Sequence, residues 1–331
     1  MSKINTKVSM DVIDMKILSE LDRNSRIPYT ILGKRVRLSK QAVKVRVDKL
    51  LSSGVITSFK AFINMRRLGF TPNKIFISFQ NISESKRQEI INYLVERETI
   101  GAVTLFDSSY DLYFGVITRT PGDLDAELSA FYNKFADNIR ERKIIALIDA
   151  MILPRDYLLN TPRELQPRQK TFHTQTKPLE ELKETDQQIL EVLNCYPTLP
   201  FTDIAKKIGH SVQTVLNRVK YLEKMGVING FGMLLNETIF IQYMLLLELN
   251  SPSKEVIDKL MAFFSTNPQV AVVIKTMGDW DYEVCIEGRD LAHCQEVIDQ
   301  FRIKFSPYLR SFFPLLVKKM AKMSYMPMKK E

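Results

Sequence analysis

The sequence predicts an α+β chain in which one plan, a three-helix module followed by a strand-rich domain, occurs twice. Three observations predict it. First, the run Asp14, Ile17, Leu18, Leu21, Pro28, Ser39, Gln41, Val43, Arg46, Leu50, Gly54, Val55, Ile56 returns as Asp186, Ile189, Leu190, Leu193, Pro200, Ser211, Gln213, Val215, Arg218, Leu222, Gly226, Val227, Ile228. The offset is a constant 172 residues, so no insertion or deletion separates the copies, and such a repeat fixes the architecture before any detail does. Second, apolar residues inside each copy recur at helical spacing. Third, the pattern downstream of each copy alternates as strands do. The plan reads as a winged helix-turn-helix domain followed by a ferredoxin-like β-α-β-β-α-β domain, with boundaries at 10–65, 72–154, 182–237 and 241–325 and a linker at 155–181.

Helix one of the first copy runs from Val12 to Leu21, where Ile13, Ile17, Leu18 and Leu21 form one apolar stripe; in the second copy it covers Ile189 to Leu193 behind a cap at Thr185. Pro28 to Thr30 open a short helix over Ile31 to Val36 with Ile31, Leu32 and Val36 inward, and Pro200 and Thr202 open its counterpart, Ile204 to Ile208. Ser39 and Ser211 suit the N-cap of a third helix, because a hydroxyl there accepts an otherwise unpaired backbone N–H. Its inner stripe is Val43, Val47, Leu50, or Val215, Val219, Leu222. Gly54 and Gly226 stop it, and Val55 to Ile63 and Val227 to Leu235 follow as a wing or lead strand.

With that stripe inward, helix three presents Lys40, Gln41, Lys44, Val45, Asp48 and Lys49 outward, and its counterpart presents Val212, Gln213, Leu216, Asn217, Lys220 and Tyr221. Such a face can enter a major groove, where Gln and Asn pair with adenine and Lys reaches guanine or phosphate. The two faces share a glutamine and differ elsewhere, so they suit different half-sites. Between Lys34 and Lys49 the first copy has seven basic residues, Lys34, Arg35, Arg37, Lys40, Lys44, Arg46 and Lys49, against the single acid Asp48. The matching window has Lys206, Lys207, Arg218 and Lys220, which makes the first module the stronger electrostatic binder. The DNA-contact set is completed by Ser39 and Ser211. Arg46 and Arg218 also admit a structural role, an ion pair to the recurring Asp14 and Asp186.

Downstream, Ile75, Ile77 and Phe79 alternate with Lys74, Phe76 and Ser78; a helix covers Ser85 to Val95, a hairpin Ile100 to Phe106 and Tyr110 to Thr118, a second helix Asp123 to Ile139, and a last strand Lys143 to Ile152. The second half repeats the order with Tyr243 to Leu249, Lys254 to Phe264, Val270 to Met277, Asp281 to Glu287, Leu291 to Phe305 and Leu309 to Lys318. This is the split β-α-β plan. It leaves one sheet face apolar and uncovered, so each half is expected to pair with another sheet, in a pseudo-dimer within the chain or in a homo-oligomer. Pro154 to Leu179, with four prolines among polar residues, reads as a solvated tether whose Arg155, Arg163, Arg168, Lys170 and Lys177 brush phosphates at most. The basic C-terminus, Lys318 to Glu331, is expected to fray.

A chain of 331 residues that is 45% hydrophobic and 26% charged has the composition of a soluble globular protein with more than one core. A formal charge of +9 favours anionic partners. No run of about 18 uninterrupted apolar residues occurs and the N-terminus lacks a signal-like stretch, so no membrane role is expected and the location expected is the cytoplasm. The three cysteines, Cys195, Cys285 and Cys294, and the three histidines, His173, His210 and His293, form no ligand pattern, so no metal and no cofactor is called for.

The stretch Leu38 to Ile56, of the form L-S-x-x-x-V-x-x-R-V-x-x-L-x-x-x-G-V-I, followed by a β-α-β-β-α-β domain, resembles the Lrp/AsnC transcription regulators. Ser211 to Ile228 match nearly as well, with His210 in the place of the leucine, so the chain resembles a fused tandem form. The resemblance implies a regulator that binds double-stranded DNA without catalysis. It also implies an amino acid or similar effector near the turn of the hairpin. Those turns are Asp107 to Asp111 and Met277 to Asp281, with Ser108, Ser109, Asp111, Gly278, Asp279 and Asp281 as candidate effector contacts. A plain hairpin turn also accounts for the glycine and aspartates. A fused pair of modules would set two unlike recognition helices about 34 to 36 Å apart or a multiple of that.

Two rivals remain. An architectural protein that coats DNA without sequence choice would use the same charge. Sirohaem decarboxylases resemble the same fused plan but depend on histidine in the sheet cavity, and no histidine here lies on an expected strand.

Overall fold

Side-chain caps start the first and third helices of the first module. In the computed structural model, which describes residues 9–162, 170–172 and 182–327, α1 (Val12–Arg23) begins with Asp11 accepting the N–H of Asp14 at 2.8 Å while Asp14 accepts that of Asp11. Next come α2 (Tyr29–Val36) and α3 (Lys40–Ser52), the latter capped by Ser39, whose hydroxyl accepts the Ala42 N–H at 3.1 Å. Leu32, Val36, Val43, Val47 and Leu50 meet the α1 stripe in one core, whereas Ile31, expected inside, is 44% exposed. Gly54, at φ +72°, turns the chain into β1 (Ile56–Ile63).

The first strand-rich domain follows the expected order: β2 (Thr71–Phe79), α4 (Glu84–Glu96), β3 (Ile100–Phe106), β4 (Leu112–Thr118), α5 (Pro121–Phe135) and β5 (Ile139–Ile152). The second expected helix stops at Phe135, one helical turn before the strand, which therefore starts earlier than Lys143. Beyond it lies a short strand, β6 (Lys170–Phe172), laid against β5. The second copy supplies α6 (Glu184–Cys195), α7 (Phe201–Ile208), α8 (Val212–Lys224), β7 (Ile228–Leu235), β8 (Ile241–Leu249), α9 (Lys254–Thr266), β9 (Val270–Met277), β10 (Tyr282–Gly288), α10 (Leu291–Phe305) and β11 (Leu309–Met323). Thr185 lies inside α6 and does not cap it, because the helix begins one residue earlier.

Three strand pairings join the halves. β1 runs antiparallel to β7 in a two-stranded ribbon, so the segment after each module is a lead strand and not a free wing. The ribbon exchanges side chains: Ala61 and Ile63 of β1 enter the core of the second module, and Met233 and Leu235 of β7 enter that of the first. Below it, the half-sheets β5-β2-β4-β3 and β11-β8-β10-β9 join edge to edge, β3 to β11 and β5 to β9. The eight strands close a ring, which leaves neither half-sheet an unpaired edge. Helices α4 and α5 cover one outer face and α9 and α10 the other, while the two apolar faces left open by the helices meet inside. The expected sheet partner is thus the other half of the same chain.

The structure departs from expectation at two ends. Arg155, Asp156, Tyr157 and Leu158, placed by sequence in a solvated tether, are buried between α1 and the ring. Arg163, Arg168 and Lys177 lie outside the described residues. Nor does the C-terminus fray from Lys318 on: β11 continues to Met323, and Tyr325 and Met326 pack on the second module.

Candidate nucleic-acid interface

The recognition face is set by which side of α3 is anchored. Arg46 donates to Asp14 at 2.7 Å and to Asp11 at 2.8 Å, and these bonds hold the guanidinium above its ordinary pKa. In the second copy Arg218 forks onto Asp186 at 2.6 and 2.5 Å and lies over the Tyr221 ring at 4.3 Å. Asp14 and Asp186 are both buried, so each arginine neutralises a carboxylate at the start of helix one. The two therefore serve as pins between helices, a correction to their place among the phosphate contacts. Arg35 is likewise drawn back, onto Glu20.

What remains outward in the first module is Lys34, Arg37, Ser39, Lys40, Gln41, Lys44, Val45 and Lys49, all exposed. Val45 is 59% exposed, an apolar side chain that core packing does not account for and that suits a thymine methyl. Arg37 is more telling. It ends α2 at φ +59°, a left-handed backbone that costs a non-glycine residue roughly 1 to 2 kcal/mol, and the second copy has Gly209 at the same step. The second face exposes Lys206, Lys207, Ser211, Gln213, Asn217 and Lys220. Ser211 caps α8 through the Thr214 N–H at 3.0 Å, and Gln213 donates to Asn217 at 2.9 Å, which orients the pair one turn apart.

Sequence reasoning missed the contacts that fix the modules to each other. Arg26, in the turn after α1, reaches across to the second module, donating to the carbonyls of Pro197 and Leu199 at 2.6 and 2.9 Å and lying 4.2 Å over the Phe201 ring. Its counterpart by the repeat is Thr198, so the clamp exists on one side only. Arg155 holds Asp22 of α1 at 2.5 Å and Glu287 of β10 at 2.6 and 3.0 Å, and Tyr157 donates to Glu287 at 3.0 Å. A buried arginine between two carboxylates ties the first module to the ring. The available signal was a pair of acids, Glu283 and Glu287, two alternations apart within an expected strand.

The hairpin turns are used at the two seams. Asp111 accepts the Phe79 N–H and Asp281 the Leu249 N–H, each at 2.7 Å, so each aspartate ties its turn to the end of the neighbouring strand. Ser108 accepts the Leu316 N–H of β11 at 2.9 Å, while the backbone carbonyl of Ser109 accepts the Ser78 hydroxyl. Asp279 pairs with Lys143 of β5 at 2.7 Å, and Gly278, at φ +151°, lies so close to β5 that a Cβ would meet Ile145 at 2.7 Å.

Residues 10–51 match the model of the AsnC-type helix-turn-helix domain, and residues 182–229 that of a winged helix-turn-helix DNA-binding domain. The HTH-type transcriptional regulator Ptr1 of Methanocaldococcus jannaschii is 35% identical over 102 residues, which cover 31% of this chain and 68% of that protein. The chain belongs to the Lrp/AsnC family. Regulatory protein AsnC of Haemophilus influenzae is 28% identical over 121 residues, 37% of this chain and 80% of that protein. Along 97% of its length the chain also shares its fold with 95% of the siroheme decarboxylase NirDL, at a TM-score of 0.60 and 13% identity. That likeness is one of fold alone. Of the described histidines, His210 is exposed just before α8 and His293 sits in the first turn of α10, neither on a ring strand; His173 lies outside the described residues.

Proposed function

We propose that the chain is a sequence-specific transcription regulator that grips double-stranded DNA with α3 and α8 at once. The observation that carries this reading is the doubled reading helix with its inner side pinned, Arg46 to Asp14 and Arg218 to Asp186, and its other side basic and exposed. Phosphate contacts fall to Lys34, Arg37, Lys40 and Lys49 in the first module and Lys206, Lys207 and Lys220 in the second. Base contacts fall to Gln41, Lys44 and Val45, and to Gln213 and Asn217. Because the β1–β7 ribbon and Arg26 fix the modules together while their faces differ, the site read is an imperfect palindrome of fixed spacing.

Family membership and the names of its relatives support regulation of transcription, and a small effector and further assembly of the chain belong to the same proposal. Among the described residues no helix is long and apolar enough to cross a membrane. The deciding experiment is a fluorescence-anisotropy titration of the protein with its own upstream promoter and with a shuffled duplex of equal length, at one near-physiological salt concentration. A preference of about a thousandfold supports the specific regulator. Tight but indifferent binding supports the DNA-coating reading, and no binding to either reopens an enzyme of the NirDL fold.

A further inference from the structure

The interior of the ring is not filled. A cavity of about 200 Å³ lies inside it, with residues of all eight ring strands in its wall. That exceeds the roughly 150 Å³ of an apolar cavity that admits benzene. Most of the wall is aliphatic or thioether, including Met244, Ile274, Met320 and Met323.

One end is polar. Lys74 of β2 donates to Glu283 of β10, both buried, and the Tyr113 ring lies 4.5 Å from the ammonium. Burial alone would pull Lys74 down, but the facing carboxylate holds it above its ordinary range, so it is charged. Each Glu283 oxygen already has a donor, Lys74 on one and the Trp280 indole N–H, at 3.2 Å, on the other. An ammonium has three donors, so spare capacity at this end lies with donors and not acceptors.

We propose that this lumen binds a compact, largely apolar molecule with one oxygen-acceptor head, a carboxylate or a neutral carbonyl. The head meets Lys74 and the body lies among the methionines. Occupancy has a route to the reading helices. Glu283, Cys285 and Glu287 occupy alternate, inward positions of β10, and Glu287 is the carboxylate that Arg155 joins to Asp22 of α1. The matching tie of the second module is neutral, Asn194 to Ser324 at 3.0 Å. An occupant therefore alters DNA affinity through the first module, a consequence that rests on the DNA-binding reading above, whereas the site itself does not.

Trp280 is the one tryptophan of the chain, so the emission of the unlabelled full-length protein reports on the lumen. The probes are phenylacetate for a carboxylate head, phenylacetamide for a neutral carbonyl head, and toluene for none. A saturable emission change with at least one headed probe, about tenfold or more tighter than toluene, is expected. Ala102→Leu, which fills the lumen beside Gly115, abolishes it, and Lys74→Met weakens it toward the toluene level. Should Lys74→Met fail to fold, Ala102→Leu and the toluene comparison decide the matter. No saturable change with either headed probe up to roughly 10 mM, or binding untouched by Ala102→Leu, overturns the site. Lumen binding that leaves promoter affinity unchanged overturns the coupling, and failure of the unliganded protein to bind promoter DNA counts against the DNA reading while the fluorescence result stands.

Discussion

The first module is the more basic and is tied to the ring by buried charges; the second is less basic and tied by neutral groups. Arg155 joins Asp22 to Glu287 on the first side, where the second side has Tyr325, Asn194 and Ile117 in the corresponding places and a neutral bond from Asn194 to Ser324. The two share a fold, caps and an Arg–Asp pin, so those features belong to building the module. What differs between them, the charge of the reading face and its attachment, is what a duplicated chain is free to specialise.

Breaking the charged tie has the largest expected effect. Arg155→Met strands two buried carboxylates and is expected to cost about 3 to 5 kcal/mol in urea denaturation of the full chain, as removal of one partner from a buried ion pair does. Tyr325→Phe, at the corresponding place in the second half, is expected to cost about 1 kcal/mol or less. Equal losses would remove the asymmetry of attachment.

Reversing charge on the reading faces comes next. Lys44→Glu is expected to weaken promoter binding about tenfold or more in an anisotropy titration, and Lys220→Glu about threefold or less, because fewer basic neighbours surround the second site. Equal effects would count against the ranking of the two modules. Arg37→Gly sharpens the same contrast with opposite signs in two measurements. Relief of the left-handed backbone is expected to stabilise the fold by about 1 kcal/mol while DNA affinity falls.

The gentlest probe is chemical. All three cysteines lie in the second half; Cys195 is exposed, burial pushes the Cys294 thiol up to about 12, and it raises Cys285 as well. A raised pKa means less thiolate, so at pH 8 a thiol reagent is expected to titrate one cysteine in the native protein and three after denaturation. Rapid labelling of a second thiol in the native state would show the ring opening on the β10 side.

Much of this was legible in the chain. The 172-residue repeat placed both modules, Ser39 and Ser211 announced α3 and α8, and strand alternation gave the order of both sheets, because caps, stripes and alternation are local and each is written within a few residues. Boundaries slipped where a turn or a packed neighbour decided them, as at Thr185, Ile31 and the end of α5. Arg46 and Arg218 could be read either as pins or as phosphate contacts; burial of Asp14 and Asp186 settled the choice.

Sequence alone determined the duplication, the order of helices and strands and the basic, exposed side of α3, since each follows from residue type and spacing. Tertiary structure alone decided that the half-sheets close one ring, that β1 and β7 exchange side chains between cores, and that Lys74 meets Glu283, 209 residues away. The same holds for Arg155, which looks like one more charge in a polar stretch until Asp22 and Glu287 converge on it. The physical reason is the same in each case: a charge is placed in an interior only by its partner, and the partner's position is fixed by the packing of distant segments.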